Sequence, residues 1–168
     1  MQLDHYTSKF KKNTFPLVVV TNHVMRPANV GSIFRVADAF GVEKLILGGS
    51  TIELNRKVWN TSRATEKVVD FEQTENTEEV IGILKQQGYT IICLEITKNS
   101  ECISDLQLKS SQKTVLVVGS ERHGIDDAVL KYADHVHHIP MYGQNSSMNV
   151  AQATSIALYE ITKSMLHV

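Results

Sequence analysis

Thr114-Val-Leu-Val-Val-Gly119-Ser-Glu-Arg-His-Gly124 is the stretch that decides the fold. Its first half is an unbroken apolar run, the pattern of a strand buried on both faces. Its second half is a turn with a carboxylate, Glu121, held between two glycines. Runs of the same kind recur on either side: Pro16-Leu-Val-Val-Val-Thr21, Lys44-Leu-Ile-Leu-Gly48, the segment from Tyr89 to Leu94, and the segment from His135 to Ile139. A short strand is also expected at Val68-Val69. Helical periodicity fills the gaps. Val30, Ile33, Phe34 and Ala37 form a stripe over 30–40, with Gly41 placed to end the helix, and 77–87 reads as a second helix followed by Gly88. Asp126 and Asp127 suit the start of a helix over 125–132. The chain closes on a long helix over 148–166, with Val150, Ala153, Ala157, Ile161 and Met165 on one stripe. Buried strands alternating with helices predict an α/β fold: a mostly parallel sheet covered by helices on both faces.

The 168 residues carry no repeat or Pro/Gly/Ser linker, so a single domain over 1–168 is expected. The chain is 42% hydrophobic with no apolar run long enough to span a bilayer, and its first residues lack the apolar stretch of a signal peptide, so a cytoplasmic protein without a membrane partner is expected. Cys93 and Cys102 form no metal or redox motif and read as free thiols. The net charge is −1, but residues 1–67 sum to +5 and residues 68–168 to −6, an asymmetry that can give one face a cationic field.

In parallel sheets ligands bind beyond the carboxyl ends of the strands, which directs attention to the loops after residues 21, 94, 119 and 139. The first runs into Asn29, Gly31 and Arg35. Gly31 and Arg35 share a helical face with Asp38, and a glycine inside a helix is tolerated where a ligand or backbone comes close. Arg35 offers a planar fork for phosphate or carboxylate, or a plain surface pair with Asp38. In the second, Glu121 can orient an arginine or accept hydrogen bonds. The third is Ile139-Pro-Met-Tyr-Gly-Gln-Asn-Ser-Ser-Met-Asn149, in which Ser147 or Asn149 can cap the last helix and freed backbone groups can read an adenine edge. There is no Walker loop, no G-x-G-x-x-G and no G-x-S-x-G elbow. His135 and His137 lack a third ligand, so no metal is expected. Lys11 and Lys12 of the Lys9-Phe-Lys-Lys12 segment, with Arg56, Lys57 and Arg63, are candidate phosphate contacts.

Three motifs, Asn29-x-Gly31-x-x-x-Arg35, Gly119-x-Glu121-x-x-Gly124 and Ile139-Pro-Met-x-Gly143-x-x-x-Ser147-Met-Asn149-Val150, together and in this order resemble the SpoU (TrmH-like) RNA ribose 2′-O-methyltransferases of the SPOUT superfamily. The resemblance runs from about residue 16 to the end, with Ser120 where Asn or Pro is usual and Met148 where Leu is usual. It implies a C-terminal trefoil knot over about 115–166, a homodimer with sites near the interface, and S-adenosyl-L-methionine as cofactor. It implies that Leu94, Gly119, Ile139, Met141, Ser147 and Met148 line the cofactor pocket, and that Arg35, Asn29, Glu121 and Asn149 face the reacting ribose. Because the chain carries no added RNA-binding domain, tRNA is favoured over rRNA as the RNA partner. A base methyltransferase, and an inactive RNA-binding member of the fold, are the competing readings. If the loop over 139–149 holds the adenosyl group, Gly143→Val is expected to weaken cofactor binding more than Tyr142→Phe.

Overall fold

The computed structural model describes residues 11–166. The chain runs β1 (Phe15–Asn22), α1 (Pro27–Ala39), β2 (Val42–Gly48), α2 (Arg56–Ser62), β3 (Phe71–Thr74), α3 (Thr77–Gln86), β4 (Thr90–Leu94), β5 (Glu101–Cys102), β6 (Thr114–Gly119), α4 (Asp127–Leu130), β7 (His135–His138) and α5 (Val150–Leu166), with single 3-10 turns at Thr65–Lys67 and Ile103–Asp105. The strands form one sheet in the order β3-β2-β1-β6-β4-β7-β5, and every pairing within it is parallel.

The apolar runs work because successive strand residues point to opposite faces and both faces are covered. Leu17 and Val19 of β1, Leu45 and Leu47 of β2, and Leu116 and Val118 of β6 pack with α1, α2 and α5. Val18 and Val20, Ile46, and Val115 and Val117 point the other way, toward α3 and α4. The stripe read on α1 is fully buried at Val30, Ile33, Phe34 and Ala37, and Phe34 meets Phe71 of β3 edge-to-face with centroids 5.0 Å apart. Gly41, at φ +62, turns the chain out of α1.

Several elements differ from the sequence-based expectation. Val68-Val69 is not a strand. The Val69 amide donates to the Thr65 carbonyl to close the preceding turn, and Val68 faces solvent. The strand starts later, at Phe71, where Asp70 accepts from the Leu45 amide. The helix expected over 125–132 shrinks to α4 (Asp127–Leu130), because the Asp126 carboxylate accepts from Asn22 and pairs with His23 instead of capping it. The closing helix starts at Val150, and half-buried Ala153 is displaced from its core stripe by Thr154 and Leu158. Gly31, by contrast, meets one of its two expected reasons, the close approach of backbone. A Cβ there would lie 2.6 Å from the Val58 carbonyl and 2.7 Å from Thr61 Cβ, so the glycine lets α2 pack against α1.

Cys93 and Cys102 are both free thiols, as expected. Burial in β4, reinforced by the nearby charges of Glu95 and Asp134, pushes the Cys93 thiol up to about 12. Thiolate, not thiol, is the reactive form. A thiol reagent at pH 8 is therefore expected to label one cysteine per native chain, the partly exposed Cys102, and two once the chain is unfolded. Rapid labelling of Cys93 in the native state would contradict the core described above.

Candidate active site

A cavity of about 510 Å³ opens beyond the carboxyl ends of β4, β6 and β7. Leu94, Gly119, Ile139, Met141, Ser147 and Met148 all line it, so the structure brings together every residue assigned to the cofactor pocket. Its size falls in the range of small-molecule sites. Glu95, which the sequence reading missed, also lines it. The Glu95 carboxylate accepts from the Ile96 amide at 2.9 Å and from the Ile125 amide at 3.0 Å, which fixes its orientation. Its signal was position: it is the first residue past β4, where ligands of parallel sheets sit.

The β6 turn is tied by two backbone bonds, Ser120 N–H to Gly124 O at 3.1 Å and Gly124 N–H to Ser120 O at 2.9 Å. Its glycines answer real constraints. A Cβ on Gly119 would overlap the backbone of Gly124, and Gly124 sits at φ +68 against the Glu95 carboxylate. Gly143 is different. A Cβ there meets nothing within 4 Å, and the residue does not line the cavity. The structure therefore gives no protein contact through which Gly143→Val would act on the cavity more than Tyr142→Phe, because neither residue lines it.

Three of the four residues assigned to the reacting ribose are joined. Asn149 donates from Nδ2 to Asn29 Oδ1 at 2.8 Å. Asn29, buried in α1, donates in turn to Glu121 Oε1. Asn149 also caps α5, its Oδ1 accepting from the Ala151 amide at 2.9 Å. Asn149 thus caps the helix and joins the cluster at once, and a chain of two side-chain amides and one carboxylate links all three motifs.

Arg35 is not brought to them. It lies six residues beyond Asn29 on α1, about 120° away around the helix. It lines a separate cleft with Val36, Phe40 and Ser155. Helix α5 stands between the two: Val150 and Ala153 face the cofactor-sized cavity, Ser155 the arginine cleft. Among the described residues Arg35 makes no ion pair, so the surface pairing with Asp38 is not formed. Of the candidate phosphate contacts, Lys11 and Lys12 sit at the opposite, amino-terminal end of the sheet beside Phe15 and Gly41. Arg56, Lys57 and Arg63 are exposed on or just after α2; Lys9 lies outside the described residues. No cluster of His, Cys, Asp or Glu able to hold a metal ion occurs among the described residues. No helix among them is long and apolar enough to cross a membrane.

A parallel α/β sheet with a cavity of this size beyond its strand ends, walled by the loops after β4, β6 and β7, defines a small-molecule-binding α/β protein. Residues 16–159 match the SpoU rRNA Methylase family, and the chain belongs to it. It is 31% identical over 153 residues to a tRNA (guanosine(18)-2′-O)-methyltransferase of Aquifex aeolicus, covering 89% of this chain and 70% of that protein. It is 28% identical to a 23S rRNA (guanosine(2553)-2′-O)-methyltransferase of Bacillus subtilis, covering 86% of this chain and 57% of that one. The structure of an AdoMet-bound rRNA methyltransferase from Sinorhizobium meliloti superposes with a TM-score of 0.82 at 25% identity, covering 91% of this chain and 61% of that one. The chain thus spans less than two thirds of two of these three proteins.

Proposed function

We propose that this protein transfers a methyl group from S-adenosylmethionine to a ribose 2′-OH of RNA, with tRNA as the first substrate to test. The observation that carries the reading is the hydrogen-bonded chain Asn149–Asn29–Glu121 beside the cavity, because it ties three sequence-distant motifs into one site. The named activities of the Aquifex and Bacillus relatives support it, as does the AdoMet-bound Sinorhizobium structure. The Aquifex relative favours tRNA and the Bacillus relative rRNA; the larger share of the Aquifex chain that is matched weighs toward tRNA.

The cavity fits the cofactor. Leu94, Ile139, Met141 and Met148 supply apolar walls for a flat purine, and the Glu95 carboxylate lies on the lining where it would complement the cofactor's ammonium. Bound there, the cofactor supplies an already activated methyl group. The protein's task is alignment and management of the acceptor. As the oxygen–carbon bond forms and the sulfur–carbon bond breaks, the 2′-OH must lose its proton. A guanidinium stays protonated in proteins, so Arg35 is a poor base. It stabilises the developing alkoxide and grips the neighbouring phosphate, and the proton leaves through that phosphate or water. Glu121, already accepting from Asn29, orients the site. A carboxylate aimed at the sulfonium would favour the ground state, since positive charge disappears during transfer.

The position of Arg35 behind α5 bears on assembly. Ser155 of α5 lines that cleft, and Ile156 and Tyr159 of the same helix are 38% and 56% exposed. In our reading this α1–α5 face pairs with a second copy, and Arg35 of each copy completes the partner's site. The segment from β6 to α5 is read as a trefoil knot. Light scattering is expected to give twice the 18.8 kDa of the chain; a monomer would remove the shared site.

Incubation with methyl-tritiated S-adenosylmethionine and bulk tRNA or rRNA, followed by alkaline hydrolysis, tests the chemistry. Methylating the 2′-OH removes the group alkali needs, so label is expected in alkali-resistant dinucleotides. Label confined to mononucleotides would place the methyl on a base and contradict the reading.

A further inference from the structure

A second cleft, of about 450 Å³, adjoins the cofactor cavity and is not explained by it. It lies between the loop after β1 and the loop after β6. These strands are neighbours in the sheet, but the chain leaves β1 toward β2 on one side and leaves β6 toward β7 on the other. That divergence is a topological switch point, where parallel sheets open a crevice. The turn at 120–123 lines both spaces, so it is a shared wall. Whatever receives a group from a molecule in the first cavity must approach from a space that touches it, and this cleft does.

Its chemistry is uneven. Arg26 and Arg122 line it, and neither makes an ion pair among the described residues. Its two carboxylates are already engaged. Glu121 accepts from Asn29. Asp126 Oδ2 accepts from Asn22 Nδ2 at 3.1 Å and lies 3.0 Å from His23 Nε2. The formal charges of the lining balance, but neither carboxylate pairs with Arg26 or Arg122, so among the described residues no carboxylate answers either guanidinium. Met25 adds an apolar side chain left 45% exposed on the same wall. The floor is rigid and strained. His23 holds φ at +58, its ring lies against Gly49, and the Asp126 amide donates back to Asn22 Oδ1 at 2.8 Å. Strained residues over-determined by their surroundings concentrate at ligand sites.

We propose that this cleft seats the acceptor nucleotide of the RNA, with a backbone phosphate between Arg26 and Arg122 and a base face against Met25. The proposal rests on the RNA methyltransferase reading above, and gives Arg26 a task distinct from that of Arg35. Arg26 is a positioning residue for the substrate rather than a participant in the displacement.

Filter binding of bulk tRNA, run beside calorimetry with S-adenosylmethionine, tests it on the wild type and on Arg26→Ala, Arg122→Ala and Met25→Ala. Arg26 lines this cleft and not the cofactor cavity, so Arg26→Ala is expected to weaken RNA binding on the order of tenfold. It should also reduce the slope of log affinity against log salt by about 0.7 to 0.9, one phosphate contact, while cofactor affinity is unchanged. Arg122→Ala is expected to repeat the salt effect. Met25→Ala should weaken RNA binding with the salt slope intact, because a base face carries no counterion. Unchanged RNA affinity in the double arginine variant, with a wild-type circular dichroism spectrum and melting temperature proving it folded, overturns the proposal. If RNA affinity falls as stated but the wild type transfers no methyl group to RNA, the cleft stands as an RNA site and the methyltransferase reading is what fails.

Discussion

Arg35→Ala is expected to lower methyl transfer by about a thousandfold, at the upper end of what removing one charge-stabilising donor costs, while leaving S-adenosylmethionine affinity at the wild-type value. The separation of the two effects follows from the geometry. Arg35 lies across α5 from the cavity, so truncating it changes nothing that lines the cofactor space. It is exposed, so the fold should not suffer. If the arginine serves the partner copy, mixing Arg35→Ala with a variant unable to bind cofactor should restore part of the activity, because one of the two sites in each mixed dimer regains both components. Tritium transfer to RNA measures both. Near-wild-type transfer by Arg35→Ala would remove the residue from the mechanism, and failure of the mixture to recover would place its action within its own chain.

The cofactor-dead partner for that mixture is Gly119→Val. Gly119 ends β6 and pairs with Asn22 of β1. Any Cβ there overlaps the Gly124 backbone, so the turn at 120–124 must open and lose both of its cross-bonds. The turn carries Glu121 and forms the wall common to both clefts. Cofactor affinity measured by calorimetry is therefore expected to fall at least a hundredfold, two lost hydrogen bonds plus the displaced wall. Gly143→Val serves as the contrast, since its side chain meets open space and should bind cofactor as the wild type does. Equal affinities for the two valine variants would contradict the cavity assignment.

The contrast between these glycines shows where sequence reading stops. Both stand in motifs that look alike on paper, and only the return of the chain onto itself at Gly124 makes one of them indispensable. The strands were legible because β1, β2, β4 and β6 are apolar on both faces, a signal that needs no partner to be read. Helix α2 was missed because Arg56–Ser62 buries only Val58 and Ser62, too little for a 3.6-residue stripe. The two-residue β5 has no pattern at all. In the site, residue types and spacing marked Asn29, Glu121 and Asn149, but the Asn29–Asn149 bond spans 120 residues and belongs to tertiary structure. Arg35 shows the converse. Its spacing from Asn29 within one motif suggested a common destination, and the helical angle between them sends it elsewhere.

Under the function proposed above, this chain methylates ribose in RNA through that arginine and that cavity. Mass spectrometry of nucleosides in tRNA and rRNA from cells with and without the gene tests it most directly. At least one 2′-O-methylnucleoside is expected to fall on deletion, return with the wild-type gene, and not return with Arg35→Ala. A profile of ribose-methylated nucleosides unchanged by deletion in both RNA classes would contradict it.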